Sequence, residues 1–225
     1  RSFKYHRPRG IMSCGTEEPN AICQINGNSN LTEPNVRATE IELYEGLEAN
    51  SQNCWPNVNF DIGGINNLIS PFIPAGFYYK TFMWPKSFWK NVYEPLIRKS
   101  AGLGKSPTQP DPEIYDHKHV HCDVLVIGGG ISGIMSAKLS AKNNLNTILV
   151  DDKNTLGGST LYQNNENFMV DNEISKNWLT KEINELNKLK NLTIKTRTSI
   201  AAFHSYNYLL AKEILTDHLP LDKKN

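Results

Sequence analysis

The chain has 225 residues, 39% hydrophobic and 21% charged, the proportions of a soluble globular protein with room for one large domain or, as expected here, two small ones. Its 24 Lys and Arg stand against 23 Asp and Glu, a formal charge of +1, so the totals give no argument for nucleic acid or an anionic membrane as partner. The longest clean apolar run, Val124 to Ile127, falls far short of the roughly 18 residues that suggest a membrane span.

The opening "RSFKYHRPRG" begins with Arg1 rather than Met and has no leader-like apolar stretch, which points to a fragment. "AICQI" (21–25) and "VRATEIEL" (36–43) carry β-branched residues with partial period two, separated by the turn-rich "NGNSNLTEPN". A small sheet-bearing module is therefore expected over residues 1–95. Cys14, Cys23, Cys54 and Cys122 form no C-x-x-C pair and lack the close spacing of an iron–sulfur or structural zinc site. Free thiols in a reducing compartment are the expectation.

"PFIPAGFYYKTFMWPKSFWKNVYEP" (71–95) holds nine of the 21 aromatic residues, too dense a set for a free loop. It reads either as inter-domain core or as a docking surface for another subunit. Residues 96–122, rich in Gly, Pro and polar residues, are expected to be a linker. His117, His119 and His121 alternate within it, which on an extended segment puts three imidazoles on one side. Metal binding and plain solvation are the two readings, and no further ligand stands at a diagnostic spacing. No metal site is assigned.

From residue 123 to 225 the pattern is that of a dinucleotide-binding domain. Asp123–Ile127 reads as a buried strand, Gly128–Gly133 as a turn, Ile134–Lys142 as a helix and "TILVD" (147–151) as the next strand. Ile174, Trp178, Leu179, Ile183, Leu186 and Leu189 recur at helical steps, and "LTIKTRT" (192–198) follows as a strand. The fold class is α/β: a partial, doubly wound parallel sheet, cut short at "TDHLPLDKKN".

Gly128, Gly130 and Gly133 satisfy G-x-G-x-x-G, with Gly129, Ile131 and Ser132 completing the turn. The first glycine allows the tight turn, the second lets backbone approach a pyrophosphate, and the third lets helix pack closely on strand. The helix start beyond them offers unpaired N–H groups to phosphate. Asp151, at the end of the second strand, would accept hydrogen bonds from ribose hydroxyls and repel a 2′-phosphate, and Asp152 could share the role. NAD or FAD is thus expected, not NADP. Gly158, in "NTLGGSTLY" (154–162), is a further place where backbone could pass close to the cofactor. No catalytic acid, base or nucleophile pattern appears, so no catalytic residue is assigned.

"RSFKYHRPRGIMSCGTEEPNA", "PNVRATEIELYEGLEANSQN", "WPNVNFDIGGINNLISPFIPAGFYYKTFMWPKSFW" and "HCDVLVIGGGISG" together resemble the N-terminal part of the α subunits of heterotetrameric sarcosine oxidase. That resemblance implies a cytoplasmic complex with β, γ and δ subunits. It would oxidatively demethylate sarcosine to glycine, reduce oxygen to hydrogen peroxide, and pass the one-carbon unit to tetrahydrofolate. NAD would sit in this chain at Gly128, Gly130, Gly133 and Asp151, with FAD and FMN mainly on a partner subunit. The N-terminal module is similar to ferredoxin-like domains of related amine and opine oxidases. Its thiols fall short of the four a cluster needs, so a cluster-free module is expected. Two alternatives remain: an FAD-binding subunit of an amine or opine dehydrogenase, and a non-catalytic assembly module.

Overall fold

The computed structural model describes residues 2–4, 7–9, 22–26, 32–52, 54–57, 59–65, 68, 70–72, 76, 82–108, 110, 114–163 and 168–219, with the side chains of 2–4, 7–9, 70 and 100 excepted. The chain divides into two compact units, Arg1–Ile114 with His218–Asn225, and Tyr115–Asp217. The division falls inside the stretch expected as a linker.

In the first unit, β1 (Ser2–Lys4) pairs antiparallel with β2 (Arg7–Arg9). Strand β3 (Ile22–Asn26) is the centre of an antiparallel sheet, between β4 (Thr32–Arg37) and β5 (Glu48–Ser51). The second strand was expected at 36–43, and the structure places it earlier. The hairpin register, Asn26 opposite Thr32 and Ile22 opposite Arg37, draws the polar "TEPN" into the ladder, because backbone pairing does not require apolar side chains. Strand β5 is exposed at all four residues, so it carries no apolar alternation to read. Asn35, at φ 64°, locks onto Gln52. The Asn35 N–H donates to Gln52 Oε1 at 2.7 Å, and Gln52 Nε2 donates back to Asn35 Oδ1 at 3.0 Å.

The described part of the aromatic stretch is helical at its end. A wide π-type turn, Trp89–Tyr93, runs into α1 (Glu94–Ser100), which takes the first five residues of the expected linker. Pro95 in the first turn and the Arg98–Glu94 ion pair at 2.7 Å favour that helix. The Tyr93 ring lies 5.1 Å from Phe82 and 6.2 Å from Phe88, and its hydroxyl donates to Trp84 O at 2.8 Å. Residues 73–75 and 77–81 of the stretch lie outside the described residues.

The second unit is built on a parallel three-stranded sheet of order β10-β7-β6, with β6 at Val124–Ile127, β7 at Thr147–Val150 and β10 at Leu192–Lys195. Helix α2 (Ile131–Lys142) joins β6 to β7, and α3 (Ser175–Leu186) precedes β10. Ile134, Ala137, Leu149, Leu156, Trp178, Leu179 and Leu186 form the core. Burying roughly one such Leu or Ile side chain contributes about 2 kcal/mol. Strand β7 is buried at every residue because it has a strand on each side. Strand β6, expected to be buried, is half-exposed, since β7 is its one neighbour among the described residues.

Helices α2 and α3 share that core and are tied by Lys138, whose Nζ lies 2.6 Å from both Glu182 and Glu185. Both therefore lie on one face of the sheet. Among the described residues the parallel sheet is wound on one side only, where a doubly wound sheet was expected. The expected strand at 192–198 also splits. Arg197 turns the chain at φ 50°, and Thr198 begins β11 (Thr198–His204), which pairs antiparallel with β12 (Tyr208–Glu213). A short hairpin of β8 (Met169–Val170) and β9 (Glu173–Ile174) precedes α3. None of the helices among the described residues is long and apolar enough to cross a membrane.

Candidate dinucleotide site

The glycine turn connects β6 to α2. Gly128 takes φ 99° and its N–H donates to Val150 O at 2.8 Å, so the turn starts as a continuation of the β6–β7 ladder. Gly130 caps α2 from an extended conformation, with no side-chain cap, and its carbonyl accepts the Ile134 N–H at 2.9 Å. The helix thus begins at Ile131, three residues before the expected Ile134. The first-turn N–H groups of Ile131, Ser132 and Gly133 precede the first intrahelical bond and carry the partial positive charge of the helix start.

The other glycines are explained by what a side chain would strike. A Cβ on Gly133 would overlap the Gly128 carbonyl oxygen, and one on Gly129 would overlap Leu156. Around Gly130 the space is open: a Cβ there meets no atom within 4 Å. That opening is what a pyrophosphate needs. Ser132 is exposed, whereas Ile131 turns its side chain into the core and offers only its N–H.

Asp151 reaches the turn from the end of β7. It is 8% exposed. Its Oδ2 accepts the Gly129 N–H, and its Oδ1 accepts the Lys153 N–H at 2.8 Å. The backbone holding it is also fixed: Asp151 N–H donates to Lys195 O at 3.0 Å, and Thr198 N–H to Asp151 O at 2.8 Å. Each carboxylate oxygen retains a second lone pair for a ligand hydroxyl. Asp152 is turned outward, its carboxylate 3.4 Å from Lys153 Nζ, and does not join the turn.

A second glycine loop closes on the first. The Gly157 N–H donates to Gly129 O at 2.7 Å, and a Cβ on Gly158 would stand 2.9 Å from the Gly130 Cα. Both adopt positive φ, 137° and 52°. Gly158 therefore belongs to the turn, as expected. Leu156 and Gly157, which the glycine pattern does not single out, belong there too; their signal was the apolar residue followed by the glycine pair.

His117, His119 and His121 are exposed. No group of three or more His, Cys, Asp or Glu side chains placed to hold a metal exists among the described residues. Cys14 lies outside them. Burial pushes the Cys23 thiol up, and it donates to Val36 O at 3.5 Å. Cys54 shares a 3.0 Å hydrogen bond with the Ser51 hydroxyl.

Comparison with known proteins agrees with this division of roles. A family described as "FAD dependent oxidoreductase" matches residues 123–225, and one described as "2Fe-2S iron-sulfur cluster binding domain" matches residues 1–54. The sarcosine oxidase subunit alpha of Rhizobium meliloti (strain 1021) is 45% identical over 219 residues, 97% of this chain and 22% of that protein. The chain belongs to the sarcosine oxidase alpha-subunit family. The subunit alpha of Corynebacterium sp. (strain U-96) is 27% identical over 97% of the chain and 18% of its own length. The flavin-containing amine oxidase B of Cavia porcellus is 44% identical over 46 residues, 20% of this chain and 9% of that protein. The chain thus spans about a fifth of the sarcosine oxidase alpha subunits it matches.

A two-iron cluster does not fit the thiols of this alpha-subunit chain. Residues 1–54 contain Cys14, Cys23 and Cys54, one short of the four thiolates such a cluster takes. Cys122, the remaining cysteine, is in the other unit. A dinucleotide, by contrast, fits the open helix start beside Asp151.

Proposed function

We propose that this chain is the NAD-binding part of the alpha subunit of a flavin-dependent sarcosine oxidase complex. The observation that carries the reading is the open space over Gly130 at the start of α2, with the inward carboxylate of Asp151 beside it. Ile131, Ser132 and Gly133 would give their N–H groups to the pyrophosphate. Asp151 would accept from the adenosine ribose. A 2′-phosphate about 4 Å from that carboxylate would cost roughly 4 kcal/mol at an effective dielectric near 20, about a thousandfold in affinity, which disfavours NADP.

NAD, when bound, is a hydride acceptor. Among the described residues of the site no side chain is placed as acid, base or nucleophile toward it, so NAD serves structure or regulation and this chain contributes scaffold. FAD, FMN and the amine-oxidising centre belong mainly to partner subunits, with β, γ and δ completing the assembly. The complex demethylates sarcosine to glycine in the cytoplasm, reduces oxygen to hydrogen peroxide, and gives the one-carbon unit to tetrahydrofolate. The N-terminal module is ferredoxin-like and cluster-free, in keeping with its three thiols.

A second reading has FAD in the turn, in a subunit of a related amine or opine dehydrogenase. The match of residues 123–225 to FAD-dependent oxidoreductases favours it. The test is to purify the full-length gene product with and without its co-expressed subunits, release cofactors by denaturation, and identify them by chromatography. Metal analysis is run on the same samples. NAD in the isolated subunit, absent from an Asp151→Ala variant, with flavin appearing only alongside partners, is the expected result. FAD in the isolated subunit would select the second reading, and no dinucleotide at all would leave an assembly module. About two irons per chain with labile sulfide would overturn the cluster-free module.

A further inference from the structure

The first unit exposes an apolar stripe that its own fold does not use. Phe88, Trp89, Val92 and Leu96 recur at steps of three and four along the turn into α1, and all four are exposed, as is Trp84 beside them. The segment is not a loose loop: Tyr93 is packed between Phe82 and Phe88 and tethered to the Trp84 carbonyl. Its rigid backing lets the exposed side chains be presented in one arrangement. Lys99 lies 5.3 Å over the Trp55 ring, which extends the same surface to a further exposed aromatic.

The rim of this surface is cationic. Residues 82–105 contain Lys86, Lys90, Arg98, Lys99 and Lys105 against the single acid Glu94, and Glu94 is already paired with Arg98. A second copy of the chain would set that rim against itself in a two-fold contact, which like charges oppose. The chain's own residues 115–217 hold eleven acids and eleven bases, so they offer no acidic excess to meet it. An aromatic and aliphatic centre within a charged rim is the make-up of a protein interface.

We propose that this stripe docks a different protein chain, another subunit of the complex, through an apolar patch ringed by Asp and Glu. The proposal rests on the multi-subunit reading above. Its test is association of the full-length alpha subunit with the purified remaining subunits, followed by light scattering and by binding kinetics at two salt concentrations. A Trp89→Ala, Leu96→Ala variant is expected to weaken assembly about thirtyfold or more, as loss of central anchors does. Lys86→Glu with Lys90→Glu alters only exposed side chains, and is expected to slow association about tenfold at low salt while bound dinucleotide stays at the wild-type level.

Assembly of both variants with wild-type affinity and rate would overturn the proposal while leaving the multi-subunit reading intact. Failure of the wild-type chain to bind any subunit would overturn both. Loss in the variants of self-association, or of nucleic acid retained by the wild-type chain, with subunit assembly unchanged would replace the occupant and also overturn it.

Discussion

The Asp151 carboxylate accepts the Gly129 backbone N–H at 2.5 Å, across 22 positions of sequence. The acid that was expected to read the ribose therefore also sets the shape of the turn that would hold the phosphates. Its other oxygen secures the Lys153 N–H, so one side chain joins the two loops at the ends of β6 and β7.

Removing that acid has two separable effects. Asp151→Ala leaves two backbone donors without their acceptor and is expected to cost about 2 kcal/mol of stability, read by denaturant unfolding. Asp151→Asn keeps an acceptor oxygen but removes the charge, so the fold should hold while discrimination against NADP narrows. Calorimetric titration of the full-length protein with NAD and NADP checks this; equal narrowing by neither variant would remove Asp151 from cofactor selection.

Two glycines of the turn should fail in opposite ways. Gly130→Ala puts its methyl into open space, so thermal stability should stay near wild type while dinucleotide affinity drops about tenfold or more, the space being the ligand's. Gly133→Ala drives a methyl into the Gly128 carbonyl and should lose about 3 kcal/mol through overpacking. Comparing melting temperature with cofactor retention in the two variants separates the roles.

Lys138 holds α2 to α3 through Glu182 and Glu185. Glu182 is 6% exposed, so Lys138→Met leaves it buried without its cation. A loss of about 2 kcal/mol is expected. Lys138→Met combined with Glu182→Leu should recover part of it, since an apolar pair tolerates that setting. Chemical denaturation of the single and double variants measures the difference.

The same group sets a pH window. Its two carboxylate partners push the Lys138 ammonium up, and Lys138 in turn holds the Glu185 carboxyl below its ordinary range. A lowered acid contributes stability above its unfolded value, about 4.3, and loses it as pH falls through the folded value. A raised base contributes below about 10.4 and loses it as pH rises through its own folded value. The stability difference between wild type and Glu185→Gln should thus be flat near neutrality and shrink below the usual carboxylate range. A difference that persists unchanged into that acid range would assign the stabilisation to packing instead.

The sequence alone determined the parallel βαβ order, the glycine turn, and Asp151 at its strand end, because close backbone approach and phosphate binding require particular residues at short, fixed spacing. It also marked Gly158, whose positive φ only a few residue types accept. Other features were settled by contacts distant in sequence. The hairpin of β11 and β12 turns at Tyr206 and Asn207, both at positive φ, without the glycine signal such turns usually carry. Strands β4 and β5 owe their place to backbone pairing with β3 rather than to apolar alternation. Asp152 faces outward while Asp151 faces in, because successive side chains at a strand end point to opposite sides and only the second glycine loop, brought in by Gly157 to Gly129, determines which side is the site.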